Sequence, residues 1–556
     1  MVSVDPAALL GHRGHAFPDS VDETQRRRLL GVATTPLVDF GVDTQTVLRS
    51  WRGGDTAAAA PGRSLEERLV DVLGLAETHV ARLPEYRKYW ADTEDPFVTL
   101  ADKIIVESAM LALIADRYAG DRPVVRARIE ALARTLAPQV RSPRNEILLR
   151  RYPNVTLSLS IGHASLTAIG FTDPVFDRLV RQALQCELAD CTERLPYRMM
   201  ERRWLSELMD PGSGTRFDDL LPLSIALRPA HPIHMLATDV YALTHVPMFV
   251  TDFGRVPPPA EFQQDRCLAA LDAAAAWVLH TDNFDLMGEI VLGRELLHAP
   301  WTPSHVMAWR TLEYAWDHLG FLASPSFALQ QFRDLPEEEK SAYAFRNIYH
   351  TTYVAGMLCA VLLRSSSPIP EVPAAVLVEN TAALRDECRT AFERAVAFFG
   401  HGLDGGSVDT DQFARVAAAA HPEPPLRAVR RLASAWRSRD TEAAQTALTA
   451  LDRTAPPGIA LPEESIASSL ADGLLTCSAR AYDLPLMAQT LRLVATTGLP
   501  VTATAAAAAR FLIRQQLPNG AIGGWFLAPE NADDPRATEV TTRLASALGA
   551  LSVRLA

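Results

Sequence analysis

A chain of 556 residues is too long for one small core, and its 48% hydrophobic content is ample for a folded interior. A net charge of −12, with basic residues scattered among acidic ones, excludes a surface built to grip nucleic acid. No unbroken apolar run reaches the roughly 20 residues that span a bilayer.

The N-terminus, MVSVDPAALLGHRGHAFPDS, lacks the basic and apolar regions of a signal peptide. The chain is therefore expected to be soluble and cytoplasmic, with no membrane partner. Six cysteines (Cys186, Cys191, Cys267, Cys359, Cys388, Cys477) include no CxxC pair, and Cys186 with Cys191 is a poor match to zinc-ligand spacing. They are expected as buried, reduced thiols, and the fold is expected to need neither metal nor other cofactor.

In chain order, residues 1–64 form an irregular leader broken by Pro and Gly, closing in the linker SWRGGDTAAAAPGRS (Ser50–Ser64). Ser64 with Glu67 has the form of a capping box and opens a main helical domain, residues 65–365. A Ser/Pro-rich stretch, RSSSPIPEVP (Arg364–Pro373), separates it from a more Ala-rich C-terminal helical domain, residues 374–556. Period-two, β-branched runs such as Asn154–Ser160 are too few to make a sheet.

Four segments share a helix entry, an apolar pair and a later Leu: PFVTLADKIIVESAML (Pro96–Leu111), PYRMMERRWLSELM (Pro196–Met209), FDLMGEIVLGRELL (Phe284–Leu297) and DLPLMAQTLRLVA (Asp483–Ala495). One hairpin cannot bury both its faces alone. Recurring helical pairs therefore predict an all-α protein of stacked antiparallel hairpins, an α/α toroid or a superhelix.

Near the C-terminus, AARFLIRQQLPNGAIGGWFL (Ala508–Leu527) resembles the QW repeat of triterpene cyclases and their relatives. Phe511, Gln515, Gln516, Gly520, Gly524 and Trp525 carry the resemblance, in a single copy. Gln amides tie down a helix end, glycines permit the turn and Trp plugs the gap between hairpins. The resemblance implies the α/α-toroid architecture. It does not extend to the reaction motifs of that group, because DxDD and DDxxD are absent and Asp282-x-x-Asp285 and Asp533-Asp534 are only fragments.

The strongest polar constellation lies in HPIHMLATDVYALTHVPMFVTDFG (His231–Gly254). On an ideal helix His234, Thr238, Tyr241, His245, Met248 and Asp252 share one stripe. No Lys, Arg or Glu occurs from His234 to Asp252, and Pro247 is expected to kink the helix. A second stripe holds Asp282, Asp285 and Glu289. An N-cap and the helix dipole account for Asp282 and partly for Asp285, but not for Glu289, two turns in among apolar residues. Arg346, His350 and Tyr353 form a third, and His163 takes the place of His245 in a repeat-related segment.

Imidazoles and carboxylates on apolar helices suit acid–base chemistry. His245, Asp252, Asp285, Glu289 and His350 are expected to be catalytic, and Tyr241, Arg346, Tyr353 and His163 to bind substrate, all around one internal cavity. The competing reading of each stripe is a polar seam satisfied between helices. Two metal readings, His231 and His234 with Asp252, and a divalent cation on the acidic stripe, stand beside an expectation of no metal.

No GxSxG elbow, Walker A loop, Rossmann glycine pattern or HExxH is present. The expected function is an enzyme of specialised (natural-product) metabolism, a cyclase, lyase or isomerase acting on a small molecule or peptide. The alternative is a non-catalytic helical-repeat scaffold or carrier.

Overall fold

The computed structural model describes residues 63–90, 97–186, 193–212, 217–228, 231, 233–365, 369, 381–400, 462–496, 499–522 and 535–556. Among these residues the regular elements are helices, nineteen of them α-helical, with no strand. The main domain carries α1 (Leu65–Ala81), α2 (Leu100–Ala119), α3 (Pro123–Val140), α4 (Pro143–Arg151), α5 (Thr156–Ala168), α6 (Pro174–Leu184) and α7 (Pro196–Met209). It continues with α8 (Ala237–Val250), α9 (Gln264–His280), α10 (Phe284–Leu296), α11 (Pro303–Leu319) and α12 (Glu337–Arg364). After it come α13 (Thr381–Gly400), α14 (Pro462–Ala481), α15 (Leu484–Thr496), α16 (Ala503–Arg514) and α17 (Pro535–Arg554); two shorter turns, Leu83–Tyr86 and Leu329–Asp334, complete the set.

Local sequence accounts for these starts. The capping box closes at α1, where Glu67 accepts from the Ser64 backbone at 2.7 Å, and recurs at α2 between Thr99 and Asp102. Proline opens α3, α4, α6, α7 and α11, where its missing N–H costs nothing.

Six helices surround the site. α2 packs on α5, α5 on α7, α7 on α8, α8 on α10, α10 on α12, and α12 back on α2, so the contacts close into a ring. This cycle is compatible with a toroid. α10 is apolar on almost every side and all its residues are buried, as such a pattern demands. α12 also packs on α1, a close approach that Gly356 permits: a Cβ there would meet Val72 Cγ1 at 2.8 Å.

The C-terminal helices share a second core, from Leu384 to Leu551, to which Ile233 also belongs, and α14 packs on α9. Here a repeat is visible in three dimensions. Thr302 donates to buried Asp272, and Thr502 donates to buried Asp472 at 2.6 Å, across the same thirty-residue spacing. Asn283 and Asp483 likewise cap α10 and α15, accepting from Leu286 N at 3.1 Å and Leu486 N at 3.0 Å. The hairpin α9–α10–α11 thus recurs as α14–α15–α16.

Gln516 donates to the Ala391 and Gly520 carbonyls at 2.8 and 3.0 Å, and Gln515 accepts from Tyr482 at 2.6 Å. These amides tie down the end of α16, and Gly520 takes a left-handed φ of 94° in the turn. Gly524, Trp525, Asp533 and Asp534 lie outside the described residues, as do Cys191 and the leader up to residue 62. The five described cysteines are free thiols, with Cys267, Cys359 and Cys388 buried. No described helix is long and apolar enough to cross a membrane.

Candidate active site

The six-helix ring encloses a cavity of about 320 Å³, within the usual range for a small-molecule site. Its apolar wall comes from Val106, Met110, Ile161, Met248, Phe249, Phe253, Val354 and Met357; its polar wall carries Lys103, Glu107, Arg198, Glu201, His245, Glu289, His350 and Tyr353. The polar groups come from five inner helices, α2, α7, α8, α10 and α12, so the site exists only when the ring closes.

His350 is the centre of the polar wall. Its Nδ1 lies 2.9 Å from Glu107 Oε2, and its Nε2 lies 3.2 Å from Glu289 Oε1 and 3.5 Å from Asp285 Oδ1. Burial alone would depress an imidazole, but Asp285, Glu107 and Glu289 outweigh it and hold His350 well above the usual value. Glu107 answers this: burial raises its carboxyl, yet His350 and Lys103 bring it down to about 2.

The two carboxylates on α10 are tied from behind. Asp285 accepts from Tyr241 Oη at 2.6 Å through Oδ2 and from Thr351 Oγ1 at 3.0 Å through Oδ1. Glu289, 1% exposed, accepts from Thr244 Oγ1 at 2.6 Å through Oε2. Burial works against its ionisation, but His245, His350 and Thr244 lower its pKa overall.

His245 stands beside Glu289, Nδ1 to Oε2 3.5 Å. That same Nδ1 lies 2.7 Å from the Tyr241 carbonyl, which can only accept, so it carries the proton. In the neutral ring Nε2 is then the basic atom, and the side chain keeps 24% of its exposure. Glu201, almost fully buried, is held above the ordinary carboxyl range by burial, which outweighs Arg198 at 2.5 Å.

The structure therefore brings His245, Glu289, His350 and Tyr353 to the cavity, with Asp285 and Tyr241 directly behind them. Three expected residues lie elsewhere. α8 begins at Ala237 and ends at Val250, so His234 and Asp252 fall outside the helix on which one stripe was drawn. Asp252 sits in a left-handed turn (φ 48°) and accepts from Arg117, Trp204 and Arg255 at 2.9, 2.6 and 2.5 Å, an anchor for the end of α8.

His163 is fully buried, but it faces α6: Nε2 meets Asp177 at 2.7 Å and Nδ1 accepts from Arg141 at 3.1 Å. Arg346 is exposed on an outer turn of α12 and does not line the cavity. The His231 and His234 rings lie 4.7 Å apart, tilted by 43°, and His234 packs against Phe511, while Asp252 is held by Arg117, Trp204 and Arg255, so the three do not form a ligand set. The N-cap of α10 is Asn283 rather than Asp282.

Sequence reasoning missed Glu107, Glu201, Lys103 and Arg198. A signal was present: Glu201 and Glu289 occupy the same position, five residues after the first residue of their repeat-related helices, although Glu201 stands between Met200 and Arg202 where Glu289 has apolar neighbours.

No curated protein and no solved structure matches this chain. A family model described as a domain of unknown function, DUF6895, matches residues 70–360, more than half of the chain. That span contains the inner ring up to the last turn of α12 and every cavity residue named above, and by this match the chain belongs to the DUF6895 family.

Proposed function

We propose that this protein is an enzyme that moves protons on a small molecule held in the ring cavity, in a reaction of the cyclase, lyase or isomerase type. The observation that carries the reading is His245. Its Nδ1–H is fixed on a main-chain carbonyl, and its Nε2 is left as an accessible base at a largely apolar cavity. Glu201, whose carboxyl burial shifts upward, supplies the matching acid, and the His350 cluster polarises whatever polar group the substrate presents. A cavity of about 320 Å³ suits a compact molecule, or one side chain of a peptide. The QW-like segment supports placing the chain near toroidal cyclases in architecture alone, and specialised metabolism remains the proposed setting.

The test is incubation of the protein with fractionated small-molecule extract in D2O, followed by mass spectrometry. A compound that gains deuterium or changes structure, and does so neither with His245→Ala nor with Glu201→Gln, supports the reading. Compounds retained by the protein but chemically unchanged would favour a carrier.

A further inference from the structure

We infer that Asp285 Oδ1, Glu289 Oε1 and His350 Nε2 form a binding site for one divalent transition cation, open on its fourth side to the ring cavity. The three atoms lie within 4.8 Å of one another. For bonds of about 2.1 Å, ligand atoms sharing an ion sit roughly 3.0 Å apart along an octahedral edge and roughly 3.4 Å along a tetrahedral one. His350 Nε2 stands 3.2 Å from Glu289 Oε1 and 3.5 Å from Asp285 Oδ1, so two edges of the triad already have the length an ion's ligand shell requires.

The surroundings argue independently. Each donor group is fixed through its other side by a residue outside the triad: His350 by Glu107, Asp285 by Tyr241, Glu289 by Thr244. A carboxylate on the far nitrogen of an imidazole is the usual way proteins aim that ring at a metal. Those tethers turn one atom of each side chain toward the other two, and Asp285 Oδ1 keeps a further lone pair beside the bond it accepts from Thr351 Oγ1 at 3.0 Å. Charge agrees: among the described residues, the permanent cation paired with Glu107, Asp285 and Glu289 is Lys103, 3.6 Å from Glu107, while Arg198 on the same wall pairs with Glu201. Once an ion displaces the Nε2 proton of His350, the group carries two negative charges, which one divalent ion balances. One imidazole with two carboxylates suits Zn²⁺, Mn²⁺ or Fe²⁺ better than Mg²⁺ or Ca²⁺.

The ion would sit where the proposed reaction takes place, and the inference rests on that reading only for the use made of the ion. When bound it would polarise a substrate carbonyl or lower the pKa of a bound water. His245 and Glu201 stay outside the ligand set and keep their proton-transfer roles.

The experiment uses full-length protein stripped with chelator and titrated with Co²⁺ alone, followed by calorimetry and visible absorption. One Co²⁺ per chain is expected, with ligand-field bands and no thiolate charge-transfer band. Asp285→Asn, Glu289→Gln and His350→Gln should each weaken binding at least a hundredfold, and Glu107→Gln by roughly 10–100-fold. Circular dichroism checks that each variant is folded, and the near-isosteric Asp285→Asn carries the test if His350→Gln is not. Absence of Co²⁺ binding by the folded wild type, or binding that survives all three ligand substitutions, would overturn the site. Neither result touches proton transfer by His245, which the deuterium experiment decides separately.

Discussion

Glu107 Oε2 lies 2.9 Å from His350 Nδ1, joining α2 to α12 across 243 positions of sequence. This contact closes the ring of inner helices on the cavity side, and both groups are largely shielded from solvent, at 17% and 25% exposure. Removing one partner leaves the other's charge poorly compensated. Glu107→Gln and His350→Gln should therefore be non-additive, with a coupling of about 1–3 kcal/mol in a double-mutant cycle, measured by urea denaturation of metal-free protein. Additive losses would show that the pair does not help close the ring.

Asp252 is expected to serve stability alone. Asp252→Ala strips partners from Arg117 and the Trp204 indole N–H at the end of α8, and should cost about 2–4 kcal/mol. Its melting temperature should fall clearly while Co²⁺ binding by the chelator-stripped protein stays unchanged.

Two glycines separate packing from propensity. Gly356→Ala forces a Cβ to 2.8 Å from Val72, where α1 and α12 meet, and should destabilise by about 1–3 kcal/mol. Gly293→Ala meets only ordinary contact, 3.7 Å from the Thr244 carbonyl, and gains helix propensity. It should be neutral or stabilising by up to about 1 kcal/mol. Chemical denaturation of the two variants side by side checks the contrast.

His305 sets a pH dependence remote from the cavity. It is fully buried beside Thr302 and Asp272, and burial pushes its imidazole down to about 4. The unfolded chain, with an ordinary value of about 6.5, binds the proton more readily in between, so stability is lost as pH falls from 6.5 towards 4. At pH 5 this one residue should cost on the order of 2 kcal/mol relative to neutral pH. Denaturation at pH 7 and pH 5 should show a smaller difference in His305→Gln than in the wild type.

Much of the fold was legible because helical period, capping boxes and prolines at first turns are local signals. The candidate site was legible where a polar residue stood alone on an apolar helix: Glu289 in α10 and His350 in the apolar length of α12. Glu107 was hidden because Asp102 and Lys103 precede it, making its helix look like one with a solvated face. Asp252 was misplaced because helical periodicity was carried past Val250, where the chain turns left-handed. Arg346 was misplaced because α12 is amphipathic in its first turns and becomes wholly buried only beyond His350. His163 is buried as its apolar setting suggested, but only the packing of α6 on α5 shows that its partner is Asp177 rather than the cavity. The meeting of α2, α10 and α12 is a tertiary event that no local pattern encodes.

The central claim is that His245 and Glu201 on the polar wall are kept for chemistry and not for stability, and thermal melts test it before any substrate is known. His245 donates to a main-chain carbonyl of its own helix and leaves Nε2 open, and Glu201 is paired with Arg198 on its own helix, so neither side chain makes its shortest polar contact across two helices. Melting of His245→Ala and Glu201→Gln should fall within about 1–2 °C of the wild type, the equivalent of about 1 kcal/mol for a chain of this length, or above it, as expected where an active site stores strain. A drop in both variants as large as that of Asp252→Ala would contradict the account and mark the cluster as a structural seam.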